Sequence, residues 1–143
     1  MKLKIPFYKQ TNKTNCGPSA LKMVLAYFGK NEEIEVLEKR TGIKEGKGIF
    51  TIQIATAAAS SGFRSEFYSK HILFDEEHLK HEFYQKYSEM DLAASKKWVE
   101  DAKLAGVNIQ EKTLSLEKLL SFVKEDSVPI ILLDWNVVMK EKD

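Results

Sequence analysis

The feature that most constrains the fold is an apolar run late in the chain, VPIILLDWNVVM, which starts at Val128. Its four consecutive apolar residues, Ile130 to Leu133, favour a strand that is buried on both faces. Such a strand needs neighbouring strands. The rest of the sequence offers only two short candidates, FRSEFYS from Phe63 and VNIQEKTL from Val107. We therefore expect a mixed fold whose sheet is incomplete in the sequence as given.

Helical patterns occupy most of the remaining chain. Residues 18–28 carry apolar side chains at helical spacing, with a proline suited to the first turn and a glycine after the last one. Further helices are predicted from an Asn31 cap to Gly42, from a Thr51 cap toward Gly62, and after a Ser115 cap. Residues 75–105 are dense in Glu, Lys, Leu and aromatic residues, which predicts one or two more helices.

Composition limits the partners of this chain. Its 143 residues suit one domain, and 43% hydrophobic with 30% charged residues favour a folded core over disorder. The 22 Lys and Arg nearly cancel the 21 Asp and Glu, so we expect neither nucleic-acid nor membrane binding. Trp98 is accordingly interpreted as a packing residue and not as a surface for base stacking. No run approaches the roughly 20 apolar residues of a membrane span, and no signal peptide is visible, which predicts a cytoplasmic protein.

Cys16 is the single cysteine, which excludes an intramolecular disulfide and an all-cysteine metal site. It stands before Gly17 and Pro18 at a predicted helix start, where unpaired N–H groups and the helix dipole favour a thiolate. Gln10, six residues upstream, could donate its amide to the oxygen that develops on an attacked carbonyl. The alternative for this pair is a small packing cysteine and a solvated glutamine.

The string QTNKTNCGPSALKMVLAYFG resembles the nucleophile segment of papain-like cysteine peptidases. It is most similar to the double-glycine leader (bacteriocin-processing) peptidases and their stand-alone relatives, cysteine peptidase family thirty-nine. GIFTIQIATAAASSGF and VPIILLDWNVV resemble that family less specifically, and Asn15 departs from its common acidic residue. The positions that match the family pattern are Gln10, Cys16, Gly17, Ala20, Leu21 and Met23.

The resemblance implies an α+β papain-like cysteine peptidase fold in a single domain, 1–143. The chain would hold mostly its helical N-terminal half, with the β-rich C-terminal half truncated and a helical insertion near 75–105. The implied activity is that of a thiol hydrolase, which cleaves a peptide or isopeptide bond of a peptide or protein substrate without a cofactor. In that activity Cys16 is the nucleophile and Gln10 the oxyanion donor, and an acyltransferase would use the same cysteine.

The catalytic His and Asp of that family follow its Asp-Trp-Asn strand, and neither is identifiable here because no histidine follows His81. His71 is a weak substitute, since a surface histidine explains it equally well. His78 and His81 share a predicted helix face with Glu77 and Glu82. Their spacing is not that of a His-Glu-x-x-His site, so we expect a solvated polar face and no metal.

A non-catalytic module is the alternative function. It would be a degenerate papain-like domain that binds a peptide or associates with itself. An unpaired strand at 128–139 favours such association, because exposed strand edges pair with other chains. Under either function, this predicts a homodimer through the unpaired C-terminal strand.

Overall fold

Helices dominate the part of the chain that the structure describes. A computed structural model describes residues 2–73, 77, 80 and 92–140. In chain order its elements are α1 (Cys16–Tyr27), α2 (Ile34–Thr41), α3 (Thr51–Ser60), β1 (Glu66–Ser69), α4 (Leu92–Leu104), β2 (Asn108–Glu111), α5 (Leu116–Leu120) and α6 (Trp135–Lys140).

The first turn of α1 is packed tightly against the segment that leads into α3. Pro18 is buried there and costs no hydrogen bond, because first-turn N–H groups have no partner within the helix. A Cβ atom added at Gly17 would lie 2.9 Å from Cδ1 of Ile49 and 3.0 Å from Cδ1 of Ile54. A side chain at position 17 would therefore require the ends of the Ile49 and Ile54 side chains to shift.

Helix α3 has a hydrophobic core on each of its two sides. The first core joins it to α1 and α2 and consists of Leu21, Leu25, Leu37, Ile54 and Ala57. The second joins it to α4 and the start of β2 and consists of Ile52, Val99, Ala102 and Val107. Alanines on α3 let its neighbours approach closely, which is why a ten-residue helix can serve two cores.

Strands β1 and β2 form a parallel pair in the register Glu66 to Asn108 through Ser69 to Glu111. Parallel neighbours require a crossover connection, and α4 lies within it. Both short strand predictions, from Phe63 and from Val107, are confirmed. The first of them was predicted from apolar or aromatic residues that alternate with polar ones over a few positions.

The predicted buried strand at 128–139 is wrong. Residues 128–134 have no regular secondary structure, and α6 occupies the remainder. Leu132 is 80% exposed and Leu133 59% exposed. The described strands pair with each other and not with this run, so it gains neither ladder hydrogen bonds nor burial.

Several helix boundaries differ slightly from prediction. Helix α2 begins after Glu33 and not after an Asn31 cap. Helix α3 has Phe50 at its N-cap position, and the Phe50 N–H donates to Oε1 of Gln53 at 2.8 Å. The Ser115 cap is confirmed, because its Oγ accepts from the backbone N–H of Lys118 at 3.1 Å.

Of the predicted helical insertion at 75–105, α4 is described, and the segment 81–91 lies outside the described residues. Among the described residues no helix is both long and apolar enough to cross a membrane. The papain-like architecture and the single domain 1–143 stay predictions.

Replacing Gly17 with Ala should lower the free energy of unfolding by about 1–3 kcal/mol, because the added methyl forces Ile49 and Ile54 to move. The matched control is Gly48→Ala, since a Cβ atom there meets nothing within 4 Å. Urea unfolding followed by circular dichroism measures both variants. Equal stabilities for the two variants would show that the close packing at Gly17 is not a constraint.

Glu66 and Tyr68 make the stability of the β1 region depend on pH. The Tyr68 hydroxyl donates to Oε2 of Glu66 at 2.8 Å, which lowers the pKa of Glu66 and raises the pKa of Tyr68. A lowered carboxyl pKa gives stability that is present above the unfolded-state value of 4.5 and is lost as pH falls through the folded-state value.

Tyr68→Phe should therefore lower the melting temperature at neutral pH, and the difference from wild type should shrink as the pH falls below about 4. Tyr27→Phe is the control, because the Tyr27 hydroxyl donates to the backbone oxygen of Glu125 and not to a carboxylate. Thermal unfolding across this pH range measures both. A Tyr68→Phe difference that stays constant across the acid range would contradict the coupling.

Candidate functional site

The candidate site is a cleft between α2, α3 and α4 with a volume of about 220 Å³. This is below the roughly 300–1,000 Å³ of most small-molecule pockets, so the cleft would enclose part of a ligand and leave the rest in solvent. Its walls are Arg40, Thr41 and Gly42 at the end of α2, Gln53 and Thr56 on α3, and Lys97, Trp98 and Asp101 on α4.

The junction of α2 and α3 forms the rigid wall of this cleft. Gly42 ends α2 in the left-handed conformation at φ 74°, which glycine adopts without strain. Gln53 Nε2 then donates to the carbonyl oxygen of Thr41 at 3.1 Å, while its Oε1 accepts from the Phe50 N–H. Both the oxygen and the nitrogen of the Gln53 amide are hydrogen-bonded within the protein, so this residue fixes the position of the wall.

Trp98 supplies an aromatic surface at the opposite wall. Its ring stacks on Phe50 with centroids 5.0 Å apart and planes inclined by 30°. The indole is half-buried and also lines the cleft. Stacking holds the ring in one orientation, which suits it to contact a flat ligand at little entropic cost.

Two cations and one carboxylate line the cleft. Arg40 Nη1 donates to Oγ of Ser61 at 2.6 Å and to Oε1 of Glu32 at 3.1 Å. The hydrogen bond from Arg40 holds the pKa of the Glu32 carboxyl below its usual value. Lys97 Nζ lies 2.8 Å from Oδ2 of Asp101 in an exposed pair, which contributes little to stability and can exchange partners cheaply.

The loop before α1 leads into Cys16, the first residue of that helix, whose side chain is exposed. Asn15 beside it is fully buried, and its Nδ2 donates to Oγ1 of Thr11 at 2.7 Å and to Oε1 of Glu38 at 2.9 Å. Asn12 Oδ1 accepts from the backbone N–H of Asn15 at 2.9 Å. The Asn15 amide therefore ties this loop to α2. The resembling peptidase family commonly has an acidic residue at this position.

The structure does not join Gln10 to Cys16. The exposed Gln10 side chain donates through Nε2 to the carbonyl oxygen of Asn12 at 2.7 Å. Among the described residues no hydrogen bond links the Gln10 amide to the Cys16 thiol, which is exposed. The roles of Cys16 as nucleophile and Gln10 as oxyanion donor stay predictions.

The histidines add no described site. His71 is exposed just after β1, and its carbonyl oxygen accepts from Oγ of Ser69 at 2.9 Å. His78, His81 and Glu82 lie outside the described residues. Within 2–73, 77, 80 and 92–140, no three His, Cys, Asp or Glu side chains come together in a way that could hold a metal ion.

Sequence reasoning missed the cleft because its residues come from three helices. Arg40, Gln53 and Asp101 are far apart in the chain and form no local motif. The one sequence signal for the cleft was Trp98, which stands between Lys97 and the apolar Val99. This pattern also fits an aromatic residue that packs in the core. Its contact with Phe50 shows that Trp98 does pack, yet it also faces the cleft.

Comparison with known protein families overturns the peptidase resemblance. A family model described as guanylylate cyclase matches residues 5–142, and no peptidase family matches. No solved structure matches the chain. The assignment to papain-like, bacteriocin-processing cysteine peptidases is therefore wrong, and so are the thiol hydrolase function and the proteolytic role drawn from it.

The error has a physical origin in the segment around Cys16. Gly17 and Pro18 satisfy the packing and hydrogen bonding of the first turn of α1, whatever chemistry the chain performs. The short motif therefore describes how a helix begins.

The family match extends over nearly the whole sequence. On that match, the chain belongs to the guanylylate cyclase family.

Proposed function

We propose that this protein binds GTP at the cleft between α2, α3 and α4 and cyclises it to cyclic GMP. The family match over residues 5–142 is the observation that carries the proposal. In the reaction, the ribose 3′ oxygen forms a bond to the α-phosphorus, and the bond from that phosphorus to the bridging oxygen breaks. Pyrophosphate leaves with the bonding electrons, and the 3′ hydroxyl proton passes to water.

Trp98 is suited to hold the purine. Its indole is fixed by stacking on Phe50 and lines the cleft. Stacking of a base on an aromatic side chain is worth about 1–3 kcal/mol and does not depend on which base is present. Trp98 would therefore contribute affinity, and other groups would select guanine.

Asp101 is suited to select guanine. It lines the cleft one helical turn after Lys97, and its carboxylate accepts hydrogen bonds. Guanine carries an exocyclic amino group that adenine lacks at the same position, so a carboxylate there favours guanine. Because the Lys97–Asp101 pair is exposed, a ligand can replace that contact without burying a charge.

Lys97 and Arg40 are suited to hold the phosphates. They are the cations that line the cleft, on its α4 and α2 sides respectively. Arg40 is oriented by its hydrogen bonds to Ser61 and Glu32. Oriented cations stabilise the charge that develops on transferring phosphoryl groups and on pyrophosphate as it leaves.

Mg²⁺ would accompany GTP as part of the substrate. Magnesium usually binds through one or two carboxylates together with substrate phosphates and water. The described cleft contributes a single carboxylate, Asp101, and no metal-holding cluster occurs elsewhere among the described residues. These residues fit a metal carried by the nucleotide better than a resident one.

Lys97→Ala should weaken GTP binding by about tenfold, because one phosphate contact from a cation is lost. Lys103→Ala is the matched control, since it removes an exposed lysine from the same helix but not from the cleft. Isothermal titration of the full chain with Mg²⁺ and GTP measures both affinities. An equal loss of GTP affinity in the two variants would show that Lys97 does not contact the phosphates.

Asp101→Asn should lower the preference for GTP over ATP by about tenfold, because an amide accepts from guanine less strongly than a carboxylate does. Glu100→Gln, at an exposed neighbouring position outside the cleft, should leave that preference unchanged. Chromatography of the products quantifies cyclic GMP and cyclic AMP. Failure of wild type to convert GTP into equal amounts of cyclic GMP and pyrophosphate would overturn the proposed function.

A further inference from the structure

Ser61 connects the end of α3 to Arg40 in the wall of the cleft. It is the C-cap residue of α3 and is buried. Its hydroxyl donates to the carbonyl oxygen of Ala57 at 2.8 Å. Because a serine hydroxyl has one proton and two lone pairs, its oxygen then has only acceptor capacity left. Nη1 of Arg40 uses that capacity, at 2.6 Å.

The backbone of Ser61 is held in place as well. Its N–H donates to the carbonyl oxygen of Ala57 at 3.0 Å, and its own carbonyl oxygen accepts from Nζ of Lys30 at 2.8 Å. Both the backbone and the side chain of Ser61 are therefore fixed by hydrogen bonds. Arg40 lies on α2, so this contact ties its guanidinium to a fixed point on α3.

Two acceptors set the plane of the Arg40 guanidinium. Nη1 carries two protons, which match the two acceptors Oγ of Ser61 and Oε1 of Glu32. All N–H groups of a guanidinium lie in one plane, so two bonds from Nη1 orient the whole group. Neither Nε nor Nη2 donates a hydrogen bond to any residue that the structure describes. The edge formed by these two nitrogens can therefore bind a ligand.

Glu32 does not cancel the positive charge at this place. Its carboxylate lies 3.1 Å from Nη1 of Arg40 and 3.6 Å from Nζ of Lys30, so two cations share one carboxylate. The three side chains together keep one net positive charge. The Arg40 side chain is also 27% exposed, so an anion can reach it.

We propose that Ser61 is a positioning residue, which holds Arg40 so that Nε and Nη2 bind two oxygens of one nucleotide phosphate. Two parallel N–H groups on one guanidinium edge match the spacing of phosphate oxygens. The inference rests on the proposed function, because it takes the cleft to be the nucleotide site. Ser61 does not line the cleft itself, so its effect on the ligand passes through Arg40, which does.

Titration calorimetry of the full chain with Mg²⁺ and 3′-deoxy-GTP tests this inference. This nucleotide lacks the attacking hydroxyl and therefore stays intact during the measurement. Ser61→Ala should weaken its binding about fivefold, because Arg40 loses one of the two acceptors that orient it. Ser60→Ala is the matched control and should bind like wild type, since Ser60 is an exposed neighbouring serine outside the cleft.

Titration with 3′-deoxyguanosine separates positioning from a general structural role. This ligand carries no phosphate, so its affinity should be the same in Ser61→Ala as in wild type. Unchanged binding of the nucleoside would also show that the cleft of the variant is folded. An equal loss of affinity for both ligands would show that Ser61 supports the cleft as a whole, and would overturn the inference.

A double-mutant cycle tests whether Ser61 acts through Arg40. In an Arg40→Ala background, Ser61→Ala should cause no further loss of affinity for 3′-deoxy-GTP. A further loss in that background, or wild-type affinity in the single variant Ser61→Ala, would overturn the inference and leave the cleft as the nucleotide site. A wild type that does not bind 3′-deoxy-GTP would instead overturn the proposed function, and the inference with it.

Discussion

Burial of α3 on both of its sides is the interaction on which the rest of the described structure depends. Ile54 and Ala57 pack toward α1 and α2, while Ile52 packs toward α4. Complete burial of one leucine or isoleucine side chain contributes about 1.5–3 kcal/mol. Loss of α3 would therefore remove a wall from each core at once and would separate α4 from the helices that precede it.

The candidate site is a consequence of that packing. Because α2 and α4 both lie against α3, the groove between them has α3 as its floor, where Gln53 and Thr56 face it. Gln53 then fixes the end of α2 through the Thr41 carbonyl oxygen. The fold thus places an arginine, a lysine, an aspartate and an oriented indole around one cleft without any contiguous sequence motif.

The helices and the short strands could be predicted because their signals are local. Two local signals agree with the tertiary structure. They are the helical spacing of apolar side chains in residues 18–28 and the N-cap at Ser115. The prediction of a buried strand from the apolar run at 128–134 was wrong. Such a strand is buried only when neighbouring strands pair with it, and composition alone does not show whether they do. The peptidase resemblance of the Cys16 segment was wrong for another reason. Its residues suit the first turn of a helix, and the family match assigns the chain to the guanylylate cyclase family.

A nuclear magnetic resonance titration of the isotope-labelled full chain with GTP and Mg²⁺ tests whether the cleft is the nucleotide site. We expect the indole N–H signal of Trp98 and the backbone amides of Gln53 and Thr56 to shift together as the nucleotide is added. Shifts confined to the loop around Cys16, or no shift at any concentration, would contradict it.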